Sequence, residues 1–199
     1  MYRSPTQLRA KRTEDAFLSA FRQLLSDQGF AKTSIDDIAL LSGQTRSAFL
    51  SRFGTKKATL FILFDEYCAE VSALMSDISE QIQHLPSAMA CAHLMSISLE
   101  ARLTEHFASN RAMHELYLED LRTDERTQRI FRQLVGLMRK TQATHLPKGT
   151  YTDTGAYSAA QLLVTINFNY ALKAMPAFAR EPEQRHALIV EAIAVALKF

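Results

Sequence analysis

The chain has 199 residues, of which 47% are hydrophobic, enough to bury the core of one compact unit or of two small domains. No apolar run is long enough to span a membrane and no signal peptide is recognisable, so we expect a cytoplasmic protein without a membrane partner. The net charge of +2 is unevenly distributed, because residues 1–57 hold ten Lys or Arg against five acidic residues. A basic first quarter on a mildly acidic remainder is typical of a protein that binds nucleic acid through its N-terminal part.

Residues 1–12 read as a basic arm without a fixed structure of its own, which either lies in a DNA minor groove or remains a solvated tail. A first helix is predicted from Glu14 to Gln28, with Gly29 in the position of a left-handed C-terminal cap. Its apolar residues recur at the spacing of one helix face: Phe17, Phe21, Leu24 and Leu25.

Two short helices are predicted next, joined by a tight turn. The first runs from Ile35 to Leu41, because Ser34 stands three residues before Asp37 and the pair can satisfy free N–H groups at a helix start. Gly43 permits the positive φ of the turn, and Thr45 can cap the third helix. The outer face of this third helix is polar and carries residue types that hydrogen-bond to base edges and phosphates. The sequence therefore predicts a helix-turn-helix unit.

The segment from about Thr13 to Phe61 resembles the DNA-binding domain of the tetracycline-repressor (TetR) family of bacterial transcriptional regulators. The family pattern is kept from Gly29 to Ala39, and it continues through the turn to Phe53-Gly54-Thr55-Lys56. Four positions depart from it: Gln44 replaces the usual Val, Ser47 the usual Gly, Leu50 a phosphate-contacting Tyr and Lys57 an acidic residue.

The resemblance and the residue types together predict contacts with a double-stranded DNA operator. Leu50 is included because it occupies the position of the family's Tyr, and Gln44 because glutamine can read adenine. The predicted DNA-contacting residues are Lys32, Thr33, Ser34, Gln44, Thr45, Arg46, Ser47, Leu50, Ser51, Arg52 and Lys56.

The remainder of the chain is predicted to be helical, because only six Gly and five Pro occur and most lie at the edges of periodic runs. A long helix from about Lys57 to His84 follows the third helix directly and is placed to act as a lever. Five more helices are predicted over residues 87–102, 105–121, 124–145, 153–175 and 182–199. The prediction is an all-α fold with an arm (1–12), a three-helix DNA-binding domain (13–56) and a six-helix effector-binding and dimerisation bundle (57–199), an arrangement that resembles the family's.

The last two predicted helices are candidates for self-association. The final helix is apolar on most sides, so it must bury against the rest of the chain or against a second copy. The resemblance favours a homodimer with a four-helix interface, whereas a core helix within one chain is the alternative. The predicted interface residues are Leu162, Ile166, Tyr170, Leu188, Ile189, Ala192, Ile193 and Ala196.

By analogy with the family, the bundle is expected to bind a small, mostly apolar organic effector, although the same residues at helical spacing would also fill an ordinary core. The residues chosen for contact area or polar tips are Phe64, Tyr67, His93, Met95, Tyr117, Phe131, Asn167 and Tyr170. We expect no cofactor and no metal ion. The two cysteines, Cys68 and Cys91, have no metal-ligand spacing and are expected to be reduced core residues.

An enzyme is the rival class, and a ferritin-like di-metal bundle is its best form. Such a bundle needs Glu-x-x-His on two helices, and only Glu183 to His186 fits. The sequence favours a DNA-binding regulator that is not an enzyme: a homodimeric repressor released from a palindromic operator by its effector. The alternative is an architectural or nonspecific DNA-binding helical protein that needs no effector.

Overall fold

The computed structural model describes residues 5–150, 152–171 and 182–197, and in these ranges the chain is helical without any strand. The all-α prediction is confirmed. A short 3₁₀ turn, Ile82–His84, follows the fourth helix. The α-helices are α1 Pro5–Lys32, α2 Ile35–Ser42, α3 Arg46–Phe53, α4 Lys56–Gln81, α5 Ala88–Glu105, α6 Phe107–Thr123, α7 Glu125–His145, α8 Asp153–Ala171 and α9 Pro182–Leu197.

Helix α1 is longer than predicted at both ends. It begins at Pro5, so residues 5–12 are helical and the prediction of an unstructured arm is wrong for them. A proline suits the first turn of a helix, and an ion pair between Lys11 and Asp15 (3.2 Å) supports the next turns. At the other end Gly29 interrupts the helical geometry with φ 77°, at the position predicted for the cap, before a last turn reaches Lys32.

The contacts within the chain divide it into two compact units that do not follow chain order. The first comprises Met1–Glu66 and Phe107–Leu118, and the second comprises Tyr67–His106 and Glu119–Phe199. The boundary predicted at residue 57 stays a prediction. None of the described helices is both long and apolar enough to cross a membrane.

Aromatic rings form the core of the first unit. Phe17 and Phe49 are fully buried and pack edge to face, with 5.4 Å between ring centroids. The ring centroid of Phe53 lies 5.8 Å from that of Phe17. Phe21 and Ile38 are also fully buried. Since these side chains come from α1, α2 and α3, their burial fixes which face of α3 is left outside.

The core of the second unit is aliphatic and methionine-rich. Helices α8 and α9 pack on each other, and α5 packs on both. Met95, one of the predicted effector contacts, is fully buried in this core. Its members include Val71, Met75, Ile78, Cys91, Met95, Leu134, Met138, Leu163, Ile189 and Ile193. Cys91 is thus a core residue, as expected, and burial raises the pKa of its thiol.

One polar network lies between α5 and α9 in the second unit. Nδ1 of His186 lies 2.9 Å from the Ser96 hydroxyl, and its Nε2 lies 3.2 Å from a carboxylate oxygen of Glu100. The buried Arg185 also donates to Glu100. Because burial outweighs the attraction of the Glu100 carboxylate, the pKa of His186 is lowered from its ordinary value. The fully buried Ser96 is therefore a packing residue whose hydroxyl orients the imidazole.

The depressed pKa of His186 predicts acid sensitivity. His186 binds a proton more readily in the unfolded chain than in the folded chain. The contribution of His186 to folding stability is therefore intact above the ordinary histidine pKa and is lost as pH falls. We expect the melting temperature to fall between about pH 7 and about pH 5. His186→Gln should flatten this dependence, whereas His84→Gln, at an exposed histidine, should leave it unchanged. An equal slope in the two variants would contradict the assignment.

Candidate nucleic-acid interface

The start of α2 is capped as predicted. The hydroxyl of Ser34 accepts a hydrogen bond from the Asp37 backbone N–H at 3.0 Å, and the Asp37 carboxylate accepts from the Ser34 N–H at 2.9 Å. The Ser34 hydroxyl also donates to the Asp37 carboxylate at 2.7 Å, and this bond together with the one from the Ser34 N–H holds the pKa of Asp37 below its ordinary value. Helix α2 ends at Gly43, which has the left-handed φ of 67° that the turn requires. The helix-turn-helix geometry therefore follows from local signals in the sequence.

Helix α3 is capped by Thr45, whose hydroxyl accepts a hydrogen bond from the Ala48 N–H at 3.1 Å. Phe49 and Phe53 point into the core of the first unit. With those two residues buried, the opposite face of the helix is solvent-exposed. The exposed residues at and before α3 are Gln44, Thr45, Arg46, Ser47, Leu50, Ser51 and Arg52, all of them predicted DNA contacts.

Two predicted DNA contacts at the α1–α2 corner have a structural task instead. The Thr33 side chain is only 2% exposed, and its hydroxyl donates to the Gly29 carbonyl at 2.8 Å. The Ser34 hydroxyl is engaged in the cap of α2. The prediction of side-chain DNA contacts is therefore wrong for Thr33, and the Ser34 side chain serves the cap. Lys32 remains exposed.

Lys56 has a structural role that was not predicted. Its ammonium group donates to the carbonyls of Phe30 and Thr33, both at 2.6 Å, and lies 4.1 Å from the centroid of the Phe30 ring. Burial lowers the pKa of this amine. The cation therefore satisfies carbonyls left free at the end of α1 and ties that corner to the start of α4. Its predicted contact with a DNA phosphate stays a prediction.

We expect Lys56→Met to lower the free energy of unfolding by about 1–3 kcal/mol, the range for losing hydrogen bonds to a charged group and leaving their partners unpaired. If these carbonyls keep the ammonium when DNA binds, the salt dependence of DNA binding should keep its slope. Urea unfolding and binding titrations at several salt concentrations measure both quantities. Lys57→Met, at the exposed neighbouring position, is the control and should leave stability nearly unchanged. A flatter salt slope for Lys56→Met alone would support the phosphate assignment.

A surface cleft of about 430 Å³ is lined by residues of α1 and α3. Two guanidinium groups and two hydroxyls line it, which is the chemistry that binds a backbone phosphate. Neither Arg9 nor Thr13 is among the predicted contacts, because the predicted first helix begins after them. Their i, i+4 spacing is the one sequence signal that places them on a common helix face. The lining residues are Arg9, Ala10, Thr13, Ala48, Ser51 and Arg52.

Both arginines of α3 form ion pairs with other helices. A guanidinium nitrogen of Arg46 lies 2.7 Å from a carboxylate oxygen of Asp36 in α2. The Arg52 Nε lies 2.9 Å from a carboxylate oxygen of Glu14 in α1, and a second nitrogen of Arg52 contacts the same oxygen. The two arginines of the exposed α3 face are therefore held by acidic neighbours.

The predicted effector contacts have varied surroundings. In the first unit, Phe64 is 7% exposed and the Tyr117 ring packs on Phe61 with 4.9 Å between centroids. Tyr117 also interrupts the helical geometry of α6, with φ −138°. Asn110 of α6, which was not predicted, is 5% exposed, and within the described ranges neither of its amide atoms has a hydrogen-bond partner. Such a buried amide needs a water molecule or a ligand to satisfy it.

In the second unit, the ring of Tyr67 lies 5.5 Å from that of His106, and Phe131 packs on Tyr157 at 5.0 Å. His93 is exposed in a cleft that it shares with His186. The side chains of Asn167 and Tyr170 lie outside the described residues. The effector contacts as a set remain a prediction.

The predicted dimer residues separate into two groups. Ile189 and Ile193 are fully buried within the chain, so the prediction that they contact a second copy is wrong: they lie on the inner side of α9. Leu162 and Leu188 are 37% and 43% exposed, and Val195, which was not predicted, is 79% exposed. Ile166, Ala192 and Ala196 are half-buried, and the side chain of Tyr170 lies outside the described residues.

One cluster of the second unit combines metal-binding residue types. The ligand atoms of Glu70, Glu105 and His106 lie within 4.8 Å of one another. Arg102 lies among them, 2.5 Å from Glu105 and 3.6 Å from Glu70. Since the Arg102 guanidinium pairs with both carboxylates and His106 contacts Glu70 at 3.0 Å, an ion-pair network accounts for this cluster.

The comparisons with known proteins agree on one family. Residues 17–62 match the model of bacterial regulatory proteins of the tetR family. A protein of Mesorhizobium loti MAFF303099 assigned to TetR-family transcriptional regulators is 18% identical over 94% of this chain and 97% of its own, with a TM-score of 0.68. A TetR-family regulator of Marinobacter aquaeolei VT8 is 15% identical over 96% and 97%, with a TM-score of 0.64. FadR of Bacillus subtilis, solved with stearoyl-CoA, is 14% identical over 92% and 97%, with a TM-score of 0.59. No curated protein sequence matches the chain.

Proposed function

Since the chain is a DNA-binding transcriptional regulator of the TetR family, we propose that it is a homodimeric repressor acting in the cytoplasm on a palindromic operator. The observation that carries the proposal is the exposed face of α3. Two buried phenylalanines fix that face outward, and it presents arginine, glutamine, threonine and serine side chains. These residue types supply the donors and acceptors that read base edges in a major groove.

Five residues of this face receive a role. Arg46, near the N-terminus of α3, is the candidate for a bidentate contact to guanine, and Gln44 is the candidate for adenine. Leu50, at 39% exposure, replaces a phosphate contact by an apolar contact to a thymine methyl group. Arg9 and Thr13 join Ser51 and Arg52 around a backbone phosphate at the α1–α3 cleft.

Dimerisation is proposed through the outer faces of α8 and α9. Leu162, Leu188 and Val195 expose apolar surface there, and Ala192 and Ala196 allow close approach. A two-fold dimer presents one α3 to each half of a palindrome, so dimerisation and operator symmetry support each other.

The proposed effector is a small, mostly apolar organic molecule that binds each bundle and lowers operator affinity. The solved complex of the B. subtilis FadR with stearoyl-CoA gives a precedent for such a ligand in this fold. The buried amide of Asn110 supports a ligand that also carries a hydrogen-bonding group. To clear the operator, the effector must favour the non-binding conformation by several kcal/mol.

The DNA-reading assignment is tested by Arg46→Ala. Removal of a bidentate base contact should weaken operator binding by about 1–3 kcal/mol, or about 5- to 150-fold, and relax the preference at one base pair. Binding to mixed-sequence DNA should change much less. Fluorescence anisotropy with both duplexes measures the two affinities. Arg22→Ala, which removes an arginine of α1 paired with Glu66, is the charge-matched control. Equal losses on operator and mixed-sequence DNA would overturn the assignment of Arg46.

A further inference from the structure

The two arginines of the recognition helix share an arrangement that the family resemblance does not explain. Each reaches out of α3 to a carboxylate on a different helix: Arg46 to Asp36 of α2 and Arg52 to Glu14 of α1. In the first pair the side chains are 55% and 68% exposed, and in the second 33% and 29%. Both pairs are thus open enough to solvent for another anion to replace the carboxylate.

We infer that Asp36 and Glu14 are intramolecular substitutes for DNA phosphates, which hold Arg46 and Arg52 in the free protein and thereby lower its affinity for DNA that lacks the operator sequence. The inference rests on the proposed function, because it assumes that α3 is the DNA-reading helix. It assigns a role in limiting DNA affinity to two acidic residues that contact no base.

The chemistry of the two anions supports the exchange. A carboxylate and a phosphodiester each present two oxygens with one negative charge, and a guanidinium binds either in the same way. An arginine that leaves its carboxylate for a phosphate of mixed-sequence DNA therefore gains little free energy, and the ion pairs persist. At an operator, base edges and a fitted set of phosphates act together, so the arginines leave their partners.

Neither acidic residue supplies the cap of a helix. The capping box at the start of α2 uses Asp37, whereas the Asp36 carboxylate is exposed and is bonded to Arg46. On α1, Glu14 bonds to Arg52, while its neighbour Asp15 pairs with Lys11 of the same helix. Asp15 therefore supplies a matched control: it has equal charge, lies one position away, and its partner Lys11 is not among the residues that line the α1–α3 cleft.

The test measures binding of the full chain to a mixed-sequence duplex of about 30 base pairs, long enough for two half-sites. The variants are Glu14→Gln, Asp36→Asn and the control Asp15→Asn, which all remove one negative charge. We expect Glu14→Gln and Asp36→Asn each to tighten this binding by about 2- to 5-fold, the range set by an exposed ion pair. Each should also steepen the plot of log affinity against log salt concentration by about 0.9, because one more phosphate is neutralised. Asp15→Asn should leave that slope unchanged.

A double variant separates release of an arginine from a general change in charge. Glu14→Gln in an Arg52→Gln background should have no effect on slope or affinity beyond that of Asp15→Asn. Melting curves of all variants show whether the fold is kept. On an operator duplex, affinity should rise at least as much as on mixed-sequence DNA, because operator binding by the wild-type protein requires both arginines to leave their carboxylates.

Identical slopes for the three single variants would overturn the inference while leaving DNA binding by α3 intact. A Glu14→Gln effect that persists without Arg52 would also overturn it. Failure of the wild-type protein to bind any DNA would instead overturn the proposed function, and the inference with it.

Discussion

Phe49→Ala is expected to lower the free energy of unfolding of the first unit by about 3–5 kcal/mol, the range for truncating a buried phenylalanine. Phe49 is fully buried and packs on Phe17 at 5.4 Å and on Phe53 at 5.0 Å. Its loss leaves a cavity beneath α3, and that unit holds too little core to tolerate the loss. DNA binding should disappear with the fold of this unit, and urea unfolding followed by circular dichroism together with DNA titration measures both.

The control for this prediction is Leu50→Ala, at the next position of the same helix. Leu50 is 39% exposed, so its truncation should change stability by less than about 1 kcal/mol. It should still weaken operator binding if the leucine contacts a thymine methyl. Equal destabilisation by the two variants would show that Phe49 is not the residue that fixes the orientation of α3.

Val195→Glu is expected to convert the proposed dimer into a monomer. The valine is 79% exposed on α9, and a glutamate there would have to bury its charge against the second copy. With one recognition helix per molecule instead of two, operator affinity should fall by about 100-fold or more. Light scattering after size exclusion gives the mass, and anisotropy gives the affinity. The substitution leaves the buried residues of α9 unchanged. At concentrations low enough for the wild-type protein to be monomeric, the two proteins should therefore have the same melting temperature.

Leu40→Glu provides the control for the mass measurement. Leu40 is 83% exposed on α2, so the substitution removes an equally exposed apolar residue from the other unit. We expect this variant to remain dimeric. A dimeric Val195→Glu, or a monomeric wild-type protein at micromolar concentration, would contradict the proposed interface.

The sequence predicts the helix-turn-helix well because its signals are local. The capping box of Ser34 and Asp37, the left-handed Gly43 and the cap at Thr45 each act within a few residues, and the structure contains all of them. The apolar period that places Phe49 inward also places Arg46 outward. The exposed recognition face therefore follows from the sequence alone.

The sequence is less informative where contacts between distant residues determine the surroundings of a side chain. The ammonium of Lys56 is bound by carbonyls more than twenty positions away, which its local pattern does not reveal. Likewise, Arg52 meets Glu14 through the packing of α3 on α1. On α9, an apolar helix offers no period that tells the core residue Ile193 from the exposed Val195. The identity of the effector depends on the shape of a cavity, which spacing does not encode.

The helix start at Pro5 shows a limit of a different kind. Residues 5–12 are polar and basic, and they lack the apolar stripe that usually identifies a helix. They are helical as an extension of α1, whose later turns are fixed by the buried Phe17 and Phe21. Propagation of an existing helix needs little from each added residue, so composition alone underestimates its length.

The central claim is sequence-specific binding by a dimer, and selection of genomic fragments tests it most directly. Fragments of the source genome are bound to the purified wild-type protein at about physiological salt, where nonspecific binding is weak. Mass spectrometry of the native protein first establishes that no small molecule is retained. We predict recovery of a pseudo-palindromic sequence whose half-sites lie about one to two helical turns apart. The same selection with the Arg46→Ala variant should not recover this sequence. Recovery of fragments without a common sequence from ligand-free protein would contradict the account.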